Sequence, residues 1–294
     1  MDWERRAGEL RRWTRAGQRA PHKPLLMLYA LGCFQRDADA ALRYSDVERD
    51  LDRLLDEFGP PRPTSSAYPF HHLVSDGVWE VRTTTGQGSP GATKRDLRSS
   101  GAAGRLVPEL RLALTRDPGL LARMARVLLD ANFPPSLHPT ICAAAGLELE
   151  LAEVPVSTRL RRRDPRARRR ILVAYEYRCA FCGYAGMMDR TSVGLEAAHV
   201  RWWAEDGPDT VDNGLCLCSL HHKLFDLGAL GIDRDHRVLV SQHFVANDDT
   251  ARRQVLDLVG RRVLGPQPGS APVAGEHIDW HRSEVFRGDA RVAA

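Results

Sequence analysis

The sequence predicts an α+β protein in two parts: a mostly helical N-terminal domain with a β-hairpin, then a C-terminal domain of short strands and a helix gathered around cysteines and histidines. Three observations predict it. The first 150 residues hold a series of apolar stretches with helix start and stop signals. Asp76-Gly77 stands between two apolar stretches, a strong hairpin signal. Four of the six cysteines, with His199, His221 and His222, fall between Cys179 and Asp226.

Taken in order, Trp3, Leu10 and Trp13 sit at near-helical spacing, so residues 3–16 read as a short amphipathic helix. RAPHKPLLMLYALGCF, residues 19–34, is apolar almost all round and reads as a buried helix with Pro24 in its first turn. His22 and Lys23 lie at its start, where free backbone N–H groups favour an anion. Ser45 and Glu48 have capping-box spacing before Val47, Leu51, Leu54, Leu55 and Phe58, and Gly59-Pro60-Pro61 stops that helix. YPFHHLVSDGVWEV, residues 68–81, reads as the hairpin. TTTGQGSPGAT, residues 83–93, is a polar loop within reach of a partner, and Thr93 caps a helix bearing Lys94, Arg95 and Arg98. Helices follow at about 105–115, at 118–131 with Asp117 as cap, and at 137–147. Asp164-Pro165 starts a helix that runs through RARRRILVAYEY into Cys179. Beyond the cysteine-rich stretch, LGALGID and RVLVS read as strands, 250–264 as an amphipathic helix, and Trp280 and Phe286 as anchors of the closing segment.

A chain of 294 residues has room for two domains. The divisions are drawn at 1–150, a linker at 151–170, and 171–294. Hydrophobic residues at 43% and charged residues at 27% suit a globular protein with a full core. No apolar run has membrane-spanning length, and MDWERRAGELRRW lacks a signal-peptide core, so the expectation is a cytoplasmic protein with no membrane partner. Cys33 and Cys142 are then expected as reduced core thiols. The net charge of +4 is mild, but the basic residues are nearly all arginine, and eight of them crowd between Arg159 and Arg170. Arginine forks match phosphate geometry, so this run reads as a phosphate-tracking segment.

The chemistry concentrates in Cys179–Asp226. Cys179 and Cys182 form a Cys-x-x-Cys pair, and zinc completes a tetrahedron with a second pair. Cys218 and His221 have the same two-residue gap and are the preferred partners, with Cys216 as an alternative to Cys218. CAFC, LEAAHV and DNGLCLCSLHHKLFD together resemble the HNH nuclease motif, a zinc-bound ββα-metal fold, over roughly 50 residues. The resemblance implies His199 as general base, Asn213 as the residue orienting it, and His222 as a ligand of a catalytic divalent ion such as Mg²⁺ or Mn²⁺. An imidazole near neutrality suits proton abstraction from water, and a cation suits the developing charge on a leaving oxygen. Many members place a ligand directly before the base; here Ala198 stands there. Glu196 on the same strand or Asp226 one helical turn after His222 is the candidate second ligand.

The N-terminal half carries a second resemblance. APHKPLLMLYAL, SAYPFHHLVSDGVWEV and the Gly-rich loop leading to Lys94-Arg95 resemble the sulfur-binding domain of McrA-like type IV restriction endonucleases. The resemblance implies a pocket for a DNA phosphorothioate at Tyr68, Pro69 and His72, with His22 and Lys23 beside it and Lys94 and Arg95 on the backbone or bases. Sulfur is larger and more weakly hydrated than oxygen, so a small apolar pocket desolvates it at less cost. The sequence is thus expected to encode a metal-dependent endonuclease of phosphorothioate-modified double-stranded DNA, acting as a homodimer or a transient pair. An HNH nuclease reading methylated or unmodified DNA, and a non-catalytic zinc-containing regulator, are the alternatives.

Overall fold

A computed structural model describes residues 1–292 apart from 11, 12, 16, 17, 150–163 and 165, with the backbone alone for 13–15, 18 and 19. Half of the arginine run, and most of the linker at 151–170, lies outside the described residues. The chain divides into two compact units, Met1–Leu160 and Arg161–Ala294.

The first unit opens with α1 (Trp3–Gly8), capped by Asp2. The helix expected to reach residue 16 stops at Gly8, and β1 (Trp13–Arg15) pairs with β2 (Gln18–Ala20) instead. Glycine costs about 1 kcal/mol inside a helix, and the strand pairing supplies the hydrogen bonds that the helix gives up. α2 (His22–Arg36) is buried from His22 through Cys33. At Gly32 an added Cβ would lie 2.2 Å from the carbonyl oxygen of Ala145, so only glycine lets that backbone approach. β3 (Leu42–Arg43) leads into α3 (Tyr44–Phe58), which buries Val47, Leu51, Leu54, Leu55 and Phe58 as the periodicity requires. Its capping box does not form. The helix starts two residues early, at Tyr44 with Arg43 in the cap position, and Ser45 Oγ donates to Asp46 Oδ1 at 2.9 Å. Glu48 turns instead to Arg98, accepting from it at 2.6 and 2.7 Å.

The expected hairpin at Asp76-Gly77 is also corrected. Its first arm is α4 (Ala67–His72) running into a 3₁₀ turn at Leu73–Asp76, with Gly77 left-handed at φ +66°. Phe70 and Leu73, one helical turn apart, are both fully buried, and that spacing outweighs the turn signal. β4 (Trp79–Thr83) follows, and the hairpin lies at its far end, where Arg82 and Thr83 pair with Gln87 and Gly86 of β5 (Gly86–Gln87). After α5 (Lys94–Ser99), β6 (Ala103–Leu106) completes an antiparallel sheet of order β3-β6-β4-β5. The helix predicted from about 105 therefore starts later, as α6 (Pro108–Arg116). α7 (Pro118–Asp130) and α8 (His138–Ala145) close the unit. The predicted caps act: Thr93 Oγ1 accepts from Asp96 N–H and Asp117 Oδ1 from Gly119 N–H, each at 3.1 Å. Cys33 and Cys142 are free, buried thiols.

The second unit begins with α9 (Ala167–Ala174), preceded by Asp164, whose Oδ1 accepts the Arg166 N–H at 2.9 Å. The helix stops short of Cys179, because Glu176 and Tyr177 adopt left-handed φ of 51° and 55°. A hairpin of β7 (Met187–Met188) and β8 (Thr191–Ser192) precedes the central ribbon. That ribbon is β9 (Leu195–His199) antiparallel to β10 (Gly214–Cys218), with His199 opposite Gly214 and Glu196 opposite Leu217. α10 (Ser219–Asp226) follows at once. β11 (Leu230–Ile232) and β12 (Val238–Val240) pair as predicted. The helix expected over 250–264 is only α11 (Asp249–Gln254); a 3₁₀ turn at Leu256–Leu258 and left-handed Gly260 end it. α12 (Gly275–Glu284) docks through Ile278 and the fully buried His281, whose ring stacks on Phe225 at 3.8 Å. Phe286 is buried, and Trp280 meets Trp202 edge-on at 5.7 Å. Among the described residues no helix is long and apolar enough to cross a membrane.

Candidate functional site

The β9–β10–α10 frame carries two groups of metal-ligating type. The first is the quartet Cys179, Cys182, Cys218 and His221, whose ligand atoms all lie within 4.8 Å of one another. A tight turn brings the first pair in: Gly183, at φ +76°, donates its N–H to the Cys179 carbonyl at 2.8 Å. Ala180 N–H reaches the Cys216 carbonyl at 2.7 Å and fixes that turn to β10. Cys218 ends β10 and His221 stands in the first turn of α10. His221 Nδ1 lies 3.4 Å from Cys179 Sγ and 3.2 Å from Cys218 Sγ, while Nε2 is 2.8 Å from the Gln254 carbonyl. A carbonyl only accepts, so Nε2 holds the proton and Nδ1 turns its lone pair to the thiols, the arrangement a metal-ligating imidazole needs. Hydrogen bonds from Cys182 and Cys218 hold the Cys179 thiol below its usual range. The donor set fits zinc. Cys216 is outside the group, and burial pushes its thiol up to about 12.

The second group surrounds His222. Its Nδ1 lies 2.5 Å from Glu196 Oε2, and its Nε2 lies 3.1 Å from Asp226 Oδ2. The structure thus brings both candidate ligands to the same imidazole. Strand alternation explains Glu196: it shares a face of β9 with Ala198, the position left empty of a ligand, and α10 packs over that face. Asp226 follows four residues after His222 on the same helical face, with a side chain 1% exposed. Ser219 Oγ donates to Glu196 Oε1 at 2.8 Å and steadies the carboxylate. Burial lowers the His222 pKa, but the Asp226 charge and the bonds to both carboxylates outweigh it and raise the ring to about 10. The pocket is built for positive charge. The two carboxylates face opposite ring nitrogens, so here they hold a proton-bearing imidazole, and among the described residues only the quartet gathers its ligand atoms around one point.

His199 stands at the end of β9, its Nε2 2.8 Å from Asp209 Oδ1. Asn213 is fully buried and ties the loop between β9 and β10 to itself. Its Oδ1 accepts from Arg201 N–H at 2.8 Å, and its Nδ2 donates to the Arg201 and Pro208 carbonyls at 3.0 Å each. Among the described residues its side-chain hydrogen bonds all go to loop backbone and none to the His199 ring. Asp209 is the residue that sequence reasoning missed. The signal present was an acid in a Gly-Pro-Asp turn ten residues beyond the histidine, which by itself reads as turn chemistry.

In the N-terminal unit, Lys23 is buried and its Nζ lies 2.5 Å from Asp76 Oδ2. His22 is buried, and desolvation, helped by Arg62, lowers it to about 4. The Tyr68 and His72 rings lie 4.2 Å apart on successive turns of α4, and Pro69 is a buried residue of the same helix. Burial lowers the His72 pKa, and the charges of His71 and Lys23 lower it further, so these side chains share one neighbourhood. Lys94 points into the acids of α3, 2.5 Å from Asp52 and 3.1 Å from Glu48. Arg95 is exposed.

Residues 2–150 match the family described as ScoMcrA-like, DNA sulfur-binding domain. Residues 179–233 match HNH endonuclease. No curated protein matches. Among solved structures, the sulfur-binding domain of ScoMcrA complexed with phosphorothioated DNA is 24% identical, over 52% of this chain and 98% of that one, with a TM-score of 0.42. The type IV phosphorothioation-dependent restriction endonuclease ScoMcrA is 14% identical, over 89% of this chain and 98% of that one, at 0.39. The modification-dependent TagI restriction endonuclease is 27% identical, over 49% of this chain and 42% of that one, at 0.31. With its first half in one family and the cysteine-rich frame matching the other, the chain belongs to the ScoMcrA-like DNA sulfur-binding domain family and carries an HNH endonuclease domain.

Proposed function

We propose that the protein binds double-stranded DNA through a phosphorothioate and hydrolyses a phosphodiester nearby. The observation that carries the nuclease half is the pair of clusters on one ribbon and helix: a thiol–imidazole quartet, and His222 between two carboxylates. The quartet holds a structural zinc. His222 with Glu196 or Asp226 would hold a divalent ion such as Mg²⁺ or Mn²⁺, which would supply charge to the scissile phosphate and the leaving oxygen. His199 takes the proton of the attacking water as the new oxygen–phosphorus bond forms and the bond to the sugar oxygen breaks. Asn213 keeps the loop beside that base closed.

The family match of residues 2–150 supports the sulfur half. Tyr68, Pro69 and His72 offer a ring-lined, partly buried surface for the sulfur, with His22 and Lys23 beside the phosphate. His22, lowered to about 4, is neutral near pH 7. Lys23 is balanced by Asp76, so the neighbourhood carries little net charge for a non-bridging oxygen to answer. An unpaired buried oxygen costs about 1–3 kcal/mol, which sets the discrimination against ordinary phosphate. Arg95, exposed beside the paired Lys94, is the freer cation for the DNA backbone. Residues 1–150 form the reading domain, 151–170 the link and 171–294 the cutting domain. Breaking both strands takes two active sites, so two copies act on one duplex.

The test uses one duplex with and without a single stereodefined phosphorothioate. Binding is read by gel shift, and cleavage after adding Mg²⁺ or Mn²⁺. Tight binding and cutting of the modified duplex alone is expected. Equal binding of both duplexes would sink the sulfur reading and leave a nuclease with another target. Unchanged cutting by His199→Ala would sink the assignment of the base.

A further inference from the structure

We infer that Asp209 positions the base His199 and selects its tautomer, leaving Nδ1 as the atom that receives the water proton. The inference rests on the reading of His199 as the base. His199 Nε2 lies 2.8 Å from Asp209 Oδ1, with side chains 16% and 12% exposed. An ionised carboxylate accepts only, so it places the proton on Nε2 and the lone pair on Nδ1.

The carboxylate is itself held. Its second oxygen, Oδ2, accepts the main-chain N–H of Asp164 at 2.8 Å. Arg170 donates to the Asp209 carbonyl at 2.8 Å and to Asp164 Oδ2 at 2.6 Å. The aspartate thus bridges the base to the segment that enters α9, and each of its oxygens has a fixed task. Held this way, it cannot turn without losing a bond to one side or the other.

The second contact makes the inference testable in an unusual way. In Asp209→Asn the Asp164 N–H still needs an acceptor, so the amide oxygen must face it. The amide NH₂ is then turned to His199, which must accept at Nε2 and carry its proton on Nδ1. Asparagine therefore supports the loop and disables the base. Alanine removes both the carboxylate's bias on the tautomer and its support of the loop.

The measurement is steady-state cleavage of the modified duplex by wild type, Asp209→Asn, Asp209→Ala and His199→Ala, with gel-shift affinity and melting temperature for each. Asparagine is expected to lower kcat on the order of 100-fold, because holding the wrong tautomer removes base catalysis. Its KM, DNA affinity and melting temperature stay near wild type. Alanine is expected to lose less kcat, about 10-fold, but to melt lower. If asparagine cuts as well as wild type or better than alanine while His199→Ala is inactive, Asp209 only supports the loop and the inference is overturned. If His199→Ala itself cuts normally, the base assignment fails and takes this inference with it.

Discussion

Gly207 shows how closely the loop beside the base is packed. A Cβ there would lie 1.9 Å from the Arg201 carbonyl oxygen and 2.9 Å from Asn213 Nδ2, two of the atoms that close the loop. Gly207→Ala should therefore open the Asn213 clamp without touching His199. The expected result is at least a tenfold loss of cleavage and a melting temperature lower by several degrees, with DNA affinity unchanged. A variant as active as wild type would show that the loop need not be closed for cutting. At this scale the chemistry-bearing residues were legible, because Cys-x-x-Cys, Cys-x-x-His and the ordered His, Asn and His are local patterns. Asp209 was not, since its meaning comes from the partner reached across the loop. The acids that α3 sets against Lys94, Glu48 and Asp52, were likewise not legible from the sequence.

α12 illustrates how an element reaches across its unit. Its His281 is fully buried against Phe225, with Nε2 on the Phe225 carbonyl at 3.1 Å and no hydrogen-bond partner for Nδ1 among the described residues. Desolvation lowers this imidazole to about 4, from an unfolded value near 6.5. The unfolded chain therefore binds the proton more readily. Stability is whole above about pH 6.5 and falls as the pH drops toward 4, by up to about 3 kcal/mol from this group. Melting of the protein at pH 7, 6 and 5 should show that acid loss, and His281→Phe should flatten it. A slope unchanged by the substitution would assign the acid sensitivity to another group. Elements were readable where burial followed one period, as in α3 and α7, or ran all round the helix, as in α2. They were misread where a distant partner decided. Glu48 left its capping box for Arg98, and the stretch before Asp76-Gly77 became helical to bury Phe70 and Leu73 against the sheet.

For the whole molecule, the sequence announced two bodies through two unrelated motif sets, and the chain divides into units Met1–Leu160 and Arg161–Ala294. The quartet Cys179, Cys182, Cys218 and His221 belongs to the second unit alone, and it sews the turn before β7 to the start of α10. Chelation should therefore act on two clocks. Removing the labile cation at the acids would stop cutting within seconds, and adding Mg²⁺ or Mn²⁺ back would restart it. Long exposure to a strong chelator would strip the thiolate-held ion, after which Mg²⁺ alone would restore nothing while duplex binding through the first unit persisted. Circular dichroism and gel shift across that time course would separate the two events; complete recovery by Mg²⁺ at every time would show that the quartet holds no ion the fold requires. A protein in the late state would mark modified DNA without severing it, and would shield those sites from its own intact copies.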